Sequence, residues 1–151
     1  MSALRPKYFT ASSYEVIIYA DHESSFANCF PNAEYIAGSE DKFVKKMNDK
    51  VKELGLKNTV FKNATGLDED GHFSSAYDMA IIARTLLSHQ EILEFSGVYE
   101  DYLRVNTPNK FWLVNTNKLV RTYNGADGLK TGHTDNAKYC LAVTAKRDLL
   151  Q

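Results

Sequence analysis

The clearest pattern along the chain is a run of apolar residues at helical spacing between Ser39 and Gly55. These apolar residues recur every three or four positions: Phe43, Val44, Met47, Val51 and Leu54. Ser39 is a favourable N-cap residue, and the two acidic residues after it suit the positive end of a helix dipole. Gly55 is suited to the position that follows the last turn. The pattern therefore predicts an amphipathic helix over residues 40–54.

A second helical pattern covers residues 75–88. Either Ser74 or Ser75 is suited to cap it, and Asp78 follows Ser75 at the spacing of a capping-box acid. Its apolar residues are expected to form a core-facing stripe: Met79, Ala80, Ile82, Ala83, Leu86 and Leu87. The stretch between the two helices is rich in Asn, Gly and Asp, which predicts an ordered loop. Residues 90–95 predict one more short helix.

From residue 98 onward the pattern changes to short β segments. The stretches VYEDYLRV and FWLV are typical of strands, and NTPNK between them is typical of a turn. Two further apolar-rich segments, 129–134 and 139–146, are joined by DNAK and are predicted to pair as an antiparallel hairpin. The chain thus combines helices in its middle with antiparallel strands in its later part.

Composition limits the class of protein. A chain of 151 residues with 44% hydrophobic and 25% charged residues is expected to form one domain with its own core. The formal net charge is −1 and no run of like charges occurs, so nucleic acid is not expected as a partner.

The longest apolar run, residues 16–20, is far shorter than the ~20 residues of a membrane helix. Residues 1–10 do not lead into the apolar stretch of a signal peptide. The sequence predicts neither a membrane segment nor a signal peptide.

Metal and disulfide chemistry find little support in the residue types. The four histidines lack the spacing of metal ligands: His22, His72, His89 and His133. Residues 66–77 resemble part of a calcium loop, but Gly66 and Tyr77 stand where its first and last ligands belong, so a turn is expected. Cys29 and Cys140 are expected to be free thiols, with Cys140 in a buried strand. Neither a metal nor a cofactor is predicted.

The candidate chemistry lies in Lys130, Thr131 and Gly132, at the start of the predicted hairpin. An ammonium here can point into a neighbouring cleft, and a hydroxyl beside it can bond a carboxylate oxygen. A glycine removes the side chain where the backbone of a ligand must lie close. Together the three residues predict a carboxylate-binding strand edge.

Several blocks of the chain resemble, in order, the serine D-alanyl-D-alanine carboxypeptidases, the low-molecular-weight penicillin-binding proteins of peptidase family S11. The blocks run from IAGSEDKF through GLKNTVFKNATGLD to NTNKLV, GADGLKTGHT and KYCLAVTAKRD, within residues 33–148. The resemblance implies an α/β (α+β) fold of the penicillin-binding, β-lactamase-like transpeptidase type, with an antiparallel sheet packed against helices. It implies removal of the terminal D-alanine from peptidoglycan stem peptides through an acyl-enzyme. It also implies β-lactams as inhibitors and an extracytoplasmic location in the bacterial cell envelope.

The resemblance also assigns individual residues. Residues 130–132 match the KTG motif, which binds the terminal carboxylate of the substrate. The backbone N–H of His133 matches a donor of the oxyanion hole. Ser24 falls at the serine of the SxN motif, whose residues relay protons, while Phe26 stands at the asparagine position. Ser24 and His133 are therefore predicted as catalytic residues.

The nucleophile motif of the family, SxxK, has one match in the chain, from Ser39 to Lys42. We expect Ser39 to be an N-cap and not the nucleophile, because backbone N–H groups occupy a capping hydroxyl. This match also comes after the SxN position, which is the wrong order for the family. Residues 24–151 are therefore expected to be a partial catalytic domain, incomplete at both ends and lacking the SxxK nucleophile. Residues 1–23 are a stretch without clear resemblance.

Three functions fit this pattern. The first is the acyl-serine carboxypeptidase, with its missing parts supplied by the rest of the gene product. The second is a related β-lactamase, which shares KTG; the block GLKNTVFKNATGLD favours the carboxypeptidase. The third is a non-catalytic remnant or module that binds peptidoglycan or β-lactams through the same strand without turnover.

Overall fold

The computed structural model of the protein describes residues 26–147. These residues form five helices and four strands: α1 Phe26–Ala37, α2 Glu40–Glu53, α3 Ala76–Leu86, α4 Glu91–Ser96, β1 Glu100–Leu103, β2 Phe111–Val114, α5 Leu119–Thr122, β3 Ala126–Thr134 and β4 Lys138–Ala145. None of the helices in this part of the chain is long and apolar enough to cross a membrane. Ser24 and the stretch 1–23 lie outside the described residues.

Helix α2 confirms the first predicted helix and its cap. Ser39 has extended backbone angles, and its side-chain oxygen accepts a hydrogen bond from the Lys42 N–H at 3.3 Å. Glu40 and Asp41 occupy the first turn, where negative charge stabilises the helix. The capping role predicted for the Ser39 hydroxyl is therefore confirmed.

The apolar core of the helical part lies between α1, α2 and the loop after α2. Its buried residues are Ala33, Phe43 and Ala64, and the residues that pack at its border are Ile36, Ala37 and Met47. The sequence patterns do not predict α1, because Pro31 lies inside this helix and proline usually interrupts helices.

Helix α3 is confirmed, but its apolar stripe is only partly buried, because Ile82, Ala83, Leu86 and Leu87 are half-buried and Ala80 is exposed. Ser75 caps the helix by accepting from the Asp78 N–H at 3.1 Å. The buried residue of α3 is Asp78, whereas Met79 is 39% exposed. The Asp78 carboxylate accepts from the Asn58 N–H and the Thr59 hydroxyl, both at 2.8 Å, which is a different contact from that of a capping-box acid. The prediction that Met79 and Ala80 face the core, and that Asp78 is a capping-box acid, was wrong because contacts with a distant loop bury Asp78 instead.

The strands pair two by two in antiparallel fashion. β1 pairs with β2, and β3 pairs with β4 up to the pair Thr134 and Lys138. Lys138 has φ 59°, the left-handed conformation that often ends the turn of a three-residue hairpin loop. The predicted hairpin of β3 and β4 is thus confirmed, as are the two earlier β segments and the short helix α4; the pairing of β1 with β2 is a finding of the structure.

Cys140 lies on β4, as predicted, but it is exposed. Among the described residues β4 has one strand neighbour, β3, and its first four side chains are all exposed. The expectation of a buried Cys140 is therefore wrong, because an apolar sequence in a strand indicates burial only where another element covers it.

Candidate active-site groove

An open groove of about 800 Å³ runs along β3. One wall consists of β3, the beginning of β4 and the segment after β2. The opposite wall consists of the loop between α2 and α3 and part of α1. The lining residues are Cys29, Met47, Phe61, Asn63, Ala64, Thr65, Gly66, His72, Thr116, Asn117, Lys118, Leu119, Lys130, Thr131, Gly132, His133, Thr134, Tyr139, Cys140 and Leu141. The structure therefore brings residues 130–133 together in one groove.

Residues 130–132, here called the Lys-Thr-Gly strand, lie in β3 opposite residues 140–142 of β4. Lys130 is partly buried, and its ammonium donates to the Thr131 carbonyl oxygen at 2.6 Å. The Thr131 hydroxyl shares a hydrogen bond of 2.5 Å with the hydroxyl of Thr116. Lys130 and Thr131 thus both line the groove, and an ammonium together with a hydroxyl is a donor set that suits a carboxylate.

Two buried asparagines hold the segment that faces the Lys-Thr-Gly strand. Asn115 is 8% exposed, and its amide donates to the carbonyl oxygens of Ser96 at 3.0 Å and Val98 at 2.9 Å. Asn117 is 2% exposed, and its amide donates to the Gly128 carbonyl oxygen at 3.2 Å. The Asn117 N–H in turn donates to the Asn115 side-chain oxygen at 2.9 Å. The segment is therefore tied to α4 on one side and to β3 on the other.

The end of α4 approaches the start of β3 closely. The Ser96 hydroxyl donates to the Asp127 carbonyl oxygen at 3.0 Å, and the Asp127 carboxylate accepts from the Thr144 hydroxyl at 2.8 Å. Gly128 has φ 155°, and a Cβ atom there would clash with the Ser96 hydroxyl. Glycine at this position therefore allows α4 to fix the strand two residues before Lys130.

The opposite wall is a loop held by bonds between side chains and backbone. Asn48 of α2 donates to the Phe61 carbonyl oxygen at 2.8 Å and accepts from the Phe61 N–H at 2.9 Å. The Glu40 carboxylate accepts from the Ala64 N–H at 3.2 Å. These contacts anchor the loop to α2, and the predicted ordered loop is confirmed.

The tip of this loop reaches the turn between β3 and β4. The Asp68 carboxylate accepts a hydrogen bond from the Asn136 N–H at 3.0 Å. The pKa of the Asp68 carboxyl is lowered, first by a hydrogen bond from the Thr134 hydroxyl. Smaller contributions come from the backbone N–H groups of Asn136 and Asp135 and from the positive charge of Lys138. The two walls of the groove are thus joined at the hairpin turn.

Two further titratable side chains line the groove. Burial raises the pKa of the Cys29 thiol, and the positive charge of Lys130 acts in the opposite direction. Burial lowers the pKa of the His72 imidazole, and the negative charges of Glu69 and Asp68 partly offset this. Cys29 is a free thiol, as predicted. The charge of Lys130 on β3 therefore acts on the Cys29 thiol on α1, across the groove.

The other candidate residues differ in their relation to the groove. The His133 imidazole packs against the Tyr139 ring on β4, with ring centroids 4.5 Å apart. No serine lines the groove within residues 26–147, and Ser39 is engaged as the cap of α2. Over the same part of the chain, no group of three or more His, Cys, Asp and Glu side chains is arranged to hold a metal ion.

Sequence reasoning did not single out most of the residues that line the groove, among them Cys29, Thr116 and Asn117. No helical or strand periodicity marks Thr116 and Asn117, because hydrogen bonds to distant residues place them. The available signal for the latter two was the triplet NTN directly after the apolar strand FWLV, in which two amides flank a hydroxyl. For Cys29 the sequence offered no signal.

Comparison with known proteins gives the relatives of this chain. The profile of the D-alanyl-D-alanine carboxypeptidase family matches residues 15–151. The chain is 66% identical over 115 residues to the D-alanyl-D-alanine carboxypeptidase DacF of Bacillus subtilis (strain 168), covering 76% of this chain and 30% of that protein. It is 42% identical over 118 residues to DacA of Escherichia coli (strain K12), covering 78% and 28%. The chain thus spans less than a third of the length of these two relatives.

Solved structures show the same relationship. Penicillin-binding protein 6B of Escherichia coli has a TM-score of 0.72 at 34% identity, covering 89% of this chain and 41% of that one. Penicillin-binding protein D2 of Listeria monocytogenes, in a cefotaxime-bound form, has a TM-score of 0.71 at 33% identity, covering 89% and 53%. The predicted transpeptidase-type fold of helices and antiparallel strands is confirmed. Family profile and relatives together show that this chain belongs to the D-alanyl-D-alanine carboxypeptidases of peptidase family S11.

Proposed function

We propose that this chain forms the carboxylate-binding part of a serine-type D-alanyl-D-alanine carboxypeptidase, which removes the terminal D-alanine from peptidoglycan stem peptides. The observation that carries the proposal is that Lys130 and Thr131 both line an open groove, in a chain of this family. A stem peptide that ends in D-Ala-D-Ala presents a free carboxylate, which accepts charge-assisted hydrogen bonds of this kind.

Gly132 supports the same conclusion. A Cβ atom at this position would have Cys140 Cβ as its neighbour at 4.0 Å, which is an ordinary van der Waals distance. Packing within the described residues therefore does not require glycine here. We attribute the missing side chain to the backbone of a bound peptide, which would lie along β3 at this point.

In the proposed reaction a serine oxygen attacks the carbonyl carbon of the penultimate D-alanine. The C–N bond to the terminal D-alanine breaks, the departing amine takes up a proton, and the shortened peptide stays on the serine as an ester. Water then hydrolyses the ester and returns the proton to the serine oxygen. Lys130 and Thr131 hold the terminal carboxylate, and Ser24, at the SxN position, takes part in proton relay.

His133 contributes through its backbone in this proposal. Its imidazole is engaged with Tyr139 across the hairpin, which favours a role for the N–H group over one for the ring. The N–H stabilises the negative charge that develops on the carbonyl oxygen during attack. Because peptidoglycan is the substrate, we place the protein in the bacterial cell envelope, outside the cytoplasm.

β-Lactams are the inhibitors that this site would take. They carry a carboxylate close to a reactive amide, so the Lys-Thr-Gly strand offers them the same contacts as the peptide. The Listeria relative in its cefotaxime-bound form supports this assignment.

A second candidate function is a module that binds these ligands without turnover. The observation in its favour is that no serine lines the groove among residues 26–147. Under this alternative the Lys-Thr-Gly strand keeps its affinity for carboxylates, but no covalent intermediate forms on the chain.

Ligand stereochemistry tests what both candidates share. The chain should bind N-acetyl-D-alanyl-D-alanine saturably in NMR titrations and bind the L,L isomer more weakly. A β-lactam should displace the D,D peptide. Absence of D,D binding, or equal affinity for both isomers, would remove the proposed function.

Adduct formation separates the enzyme from the binding module. We expect no stable adduct after incubation of this chain with a fluorescent penicillin, by denaturing gel and intact mass, because an unassisted serine hydroxyl is a weak nucleophile. An adduct mapped to Ser24 would make that residue the nucleophile and not the relay. An adduct mapped to Ser39 would contradict its assignment as the cap of α2.

A further inference from the structure

A hydroxyl from outside the Lys-Thr-Gly strand contacts it directly. Thr116 lies on the segment after β2, and its Oγ1 is 2.5 Å from the Oγ1 of Thr131. Either oxygen can be the donor in this bond. Thr116 therefore touches the hydroxyl to which we assign the carboxylate of the ligand, and any role of Thr116 in binding rests on that proposed function.

The two neighbours of Thr116 fix its position. Asn115 and Asn117 are buried, whereas Thr116 between them is exposed and lines the groove. The Asn115 N–H donates to the Tyr99 carbonyl oxygen at 2.7 Å, and the Asn117 amide donates to Gly128. Satisfied buried polar networks of this kind hold a backbone rigidly. Thr116 thus has little freedom to move away from Thr131.

Because each hydroxyl has only one proton, carboxylate binding by Thr131 requires one particular direction of the bond between the two threonines. A hydroxyl has one proton to donate and two lone pairs, and an ionised carboxylate can only accept. Thr131 can therefore bond a carboxylate only with its own proton. That proton is available when Thr116 donates to Thr131. When Thr131 donates to Thr116, Thr131 presents only lone pairs to the ligand, and these repel a carboxylate.

We propose that Thr116 is a positioning residue for carboxylate recognition, whose hydroxyl donates to Thr131 Oγ1 and so directs the Thr131 proton at the ligand. A hydroxyl that accepts one hydrogen bond donates a stronger one, because the bonds polarise each other. The gain is larger for a charged carboxylate than for a neutral amide, since charge-assisted bonds are the stronger ones. Thr116 therefore favours ligands with a free carboxylate.

The test uses the full chain with two probes, N-acetyl-D-alanyl-D-alanine and its C-terminal amide, in NMR titrations. Thr116→Val should weaken binding of the acid about fivefold, the size expected for one net hydrogen bond, and weaken the amide less. Thr116→Ser keeps the hydroxyl and should retain most of the affinity for the acid. Thr107→Val is the matched control, because Thr107 is exposed in the β1–β2 connection and does not line the groove. It should change neither affinity.

A double-mutant cycle separates positioning from general support of the fold. In a Thr131→Val background, Thr116→Val should weaken acid binding no further, because its partner hydroxyl is gone. Additive losses in the cycle, or a Ser variant as weak as the Val variant, would overturn the role of Thr116. Equal binding of acid and amide by the wild-type chain would instead overturn the proposed function itself, and the role of Thr116 with it.

Discussion

The two walls of the groove are built in different ways. The wall made by α2 and the loop after it contains an apolar core, in which Phe43 is 3% exposed, and the half-buried Asn48 ties its loop to α2. The wall made by β3 and residues 115–117 also contains a buried apolar residue, Leu129, but its polar contacts come from buried amides, with Asn117 2% exposed. Apolar packing accepts substitutes of similar volume, whereas a hydrogen bond weakens steeply outside a narrow range of distance and angle. The wall that carries the candidate chemistry therefore has the stricter geometry.

The largest expected effect is on the apolar wall. Phe43→Ala should lower the free energy of unfolding by about 3–5 kcal/mol, because it removes a buried aromatic ring and leaves a cavity. Urea denaturation measures this loss. Phe111→Ala is the matched control, since Phe111 is 53% exposed, and it should cost less than about 1 kcal/mol. Similar losses in the two variants would show that the core between α1 and α2 does not support this wall.

The second effect is measured on ligand binding. Lys130→Ala should weaken the binding of carboxylate ligands by ~1.5–3 kcal/mol, the scale of a hydrogen bond to a charged group. Titration with N-acetyl-D-alanyl-D-alanine measures it, and Lys57→Ala, an exposed lysine outside the groove, serves as the control. Unchanged affinity in the Lys130 variant would mean that its ammonium does not bind the ligand.

The third effect tests whether buried amides support the strand wall. Asn117→Ala should lower the free energy of unfolding by about 1–3 kcal/mol, because the Gly128 carbonyl oxygen and the Leu119 N–H lose their partner in a buried site. It should also weaken ligand binding, by releasing the segment that carries Thr116. Asn109→Ala, in the exposed turn between β1 and β2, is the control. A variant as stable as wild type would contradict the idea that polar contacts hold this wall.

The smallest effect concerns the contact between the two walls at Asp68. Because its pKa is lowered in the folded chain, the stabilising contact is complete above about pH 4 and is lost as the pH falls through the folded pKa. The amide signal of Asn136 should report this titration with a midpoint below the usual value for aspartate. Asp68→Asn should abolish the titration, whereas Asp70→Asn, in the same exposed loop, should leave it in place. A midpoint above the usual value for aspartate would show that the contact does not favour the charged form.

The separation along the chain between contacting residues explains how much of the structure the sequence predicts. Helix α2 and the cap at Ser39 are predictable from neighbouring residues, and the hairpin from two apolar segments joined by a short polar turn. The burial of Asp78 and the exposure of Met79 are not, because the Asn58 and Thr59 groups that satisfy the carboxylate lie about twenty residues away. Local pattern predicts elements, while contacts between elements decide which of their faces are buried.

The same distinction applies to the residues of the candidate site. Lys130, Thr131 and Gly132 could be predicted because their types and order match the KTG motif of the family, and the structure places all three along one groove. Thr116 and Asn117 could not, since their roles depend on hydrogen bonds to residues 15 and 11 positions away. A hydroxyl or an amide in a sequence has many possible partners, and only the fold selects one of them.

Backbone NMR of the chain during titration with N-acetyl-D-alanyl-D-alanine tests the proposed carboxylate site most directly. We expect the largest shift changes at the amides of residues 130–133 and 116–117, with much smaller changes at the same concentration of the C-terminal amide. Largest changes on the exposed faces of β1 and β2, or equal changes with acid and amide, would contradict the assignment of the Lys-Thr-Gly strand as the carboxylate-binding site.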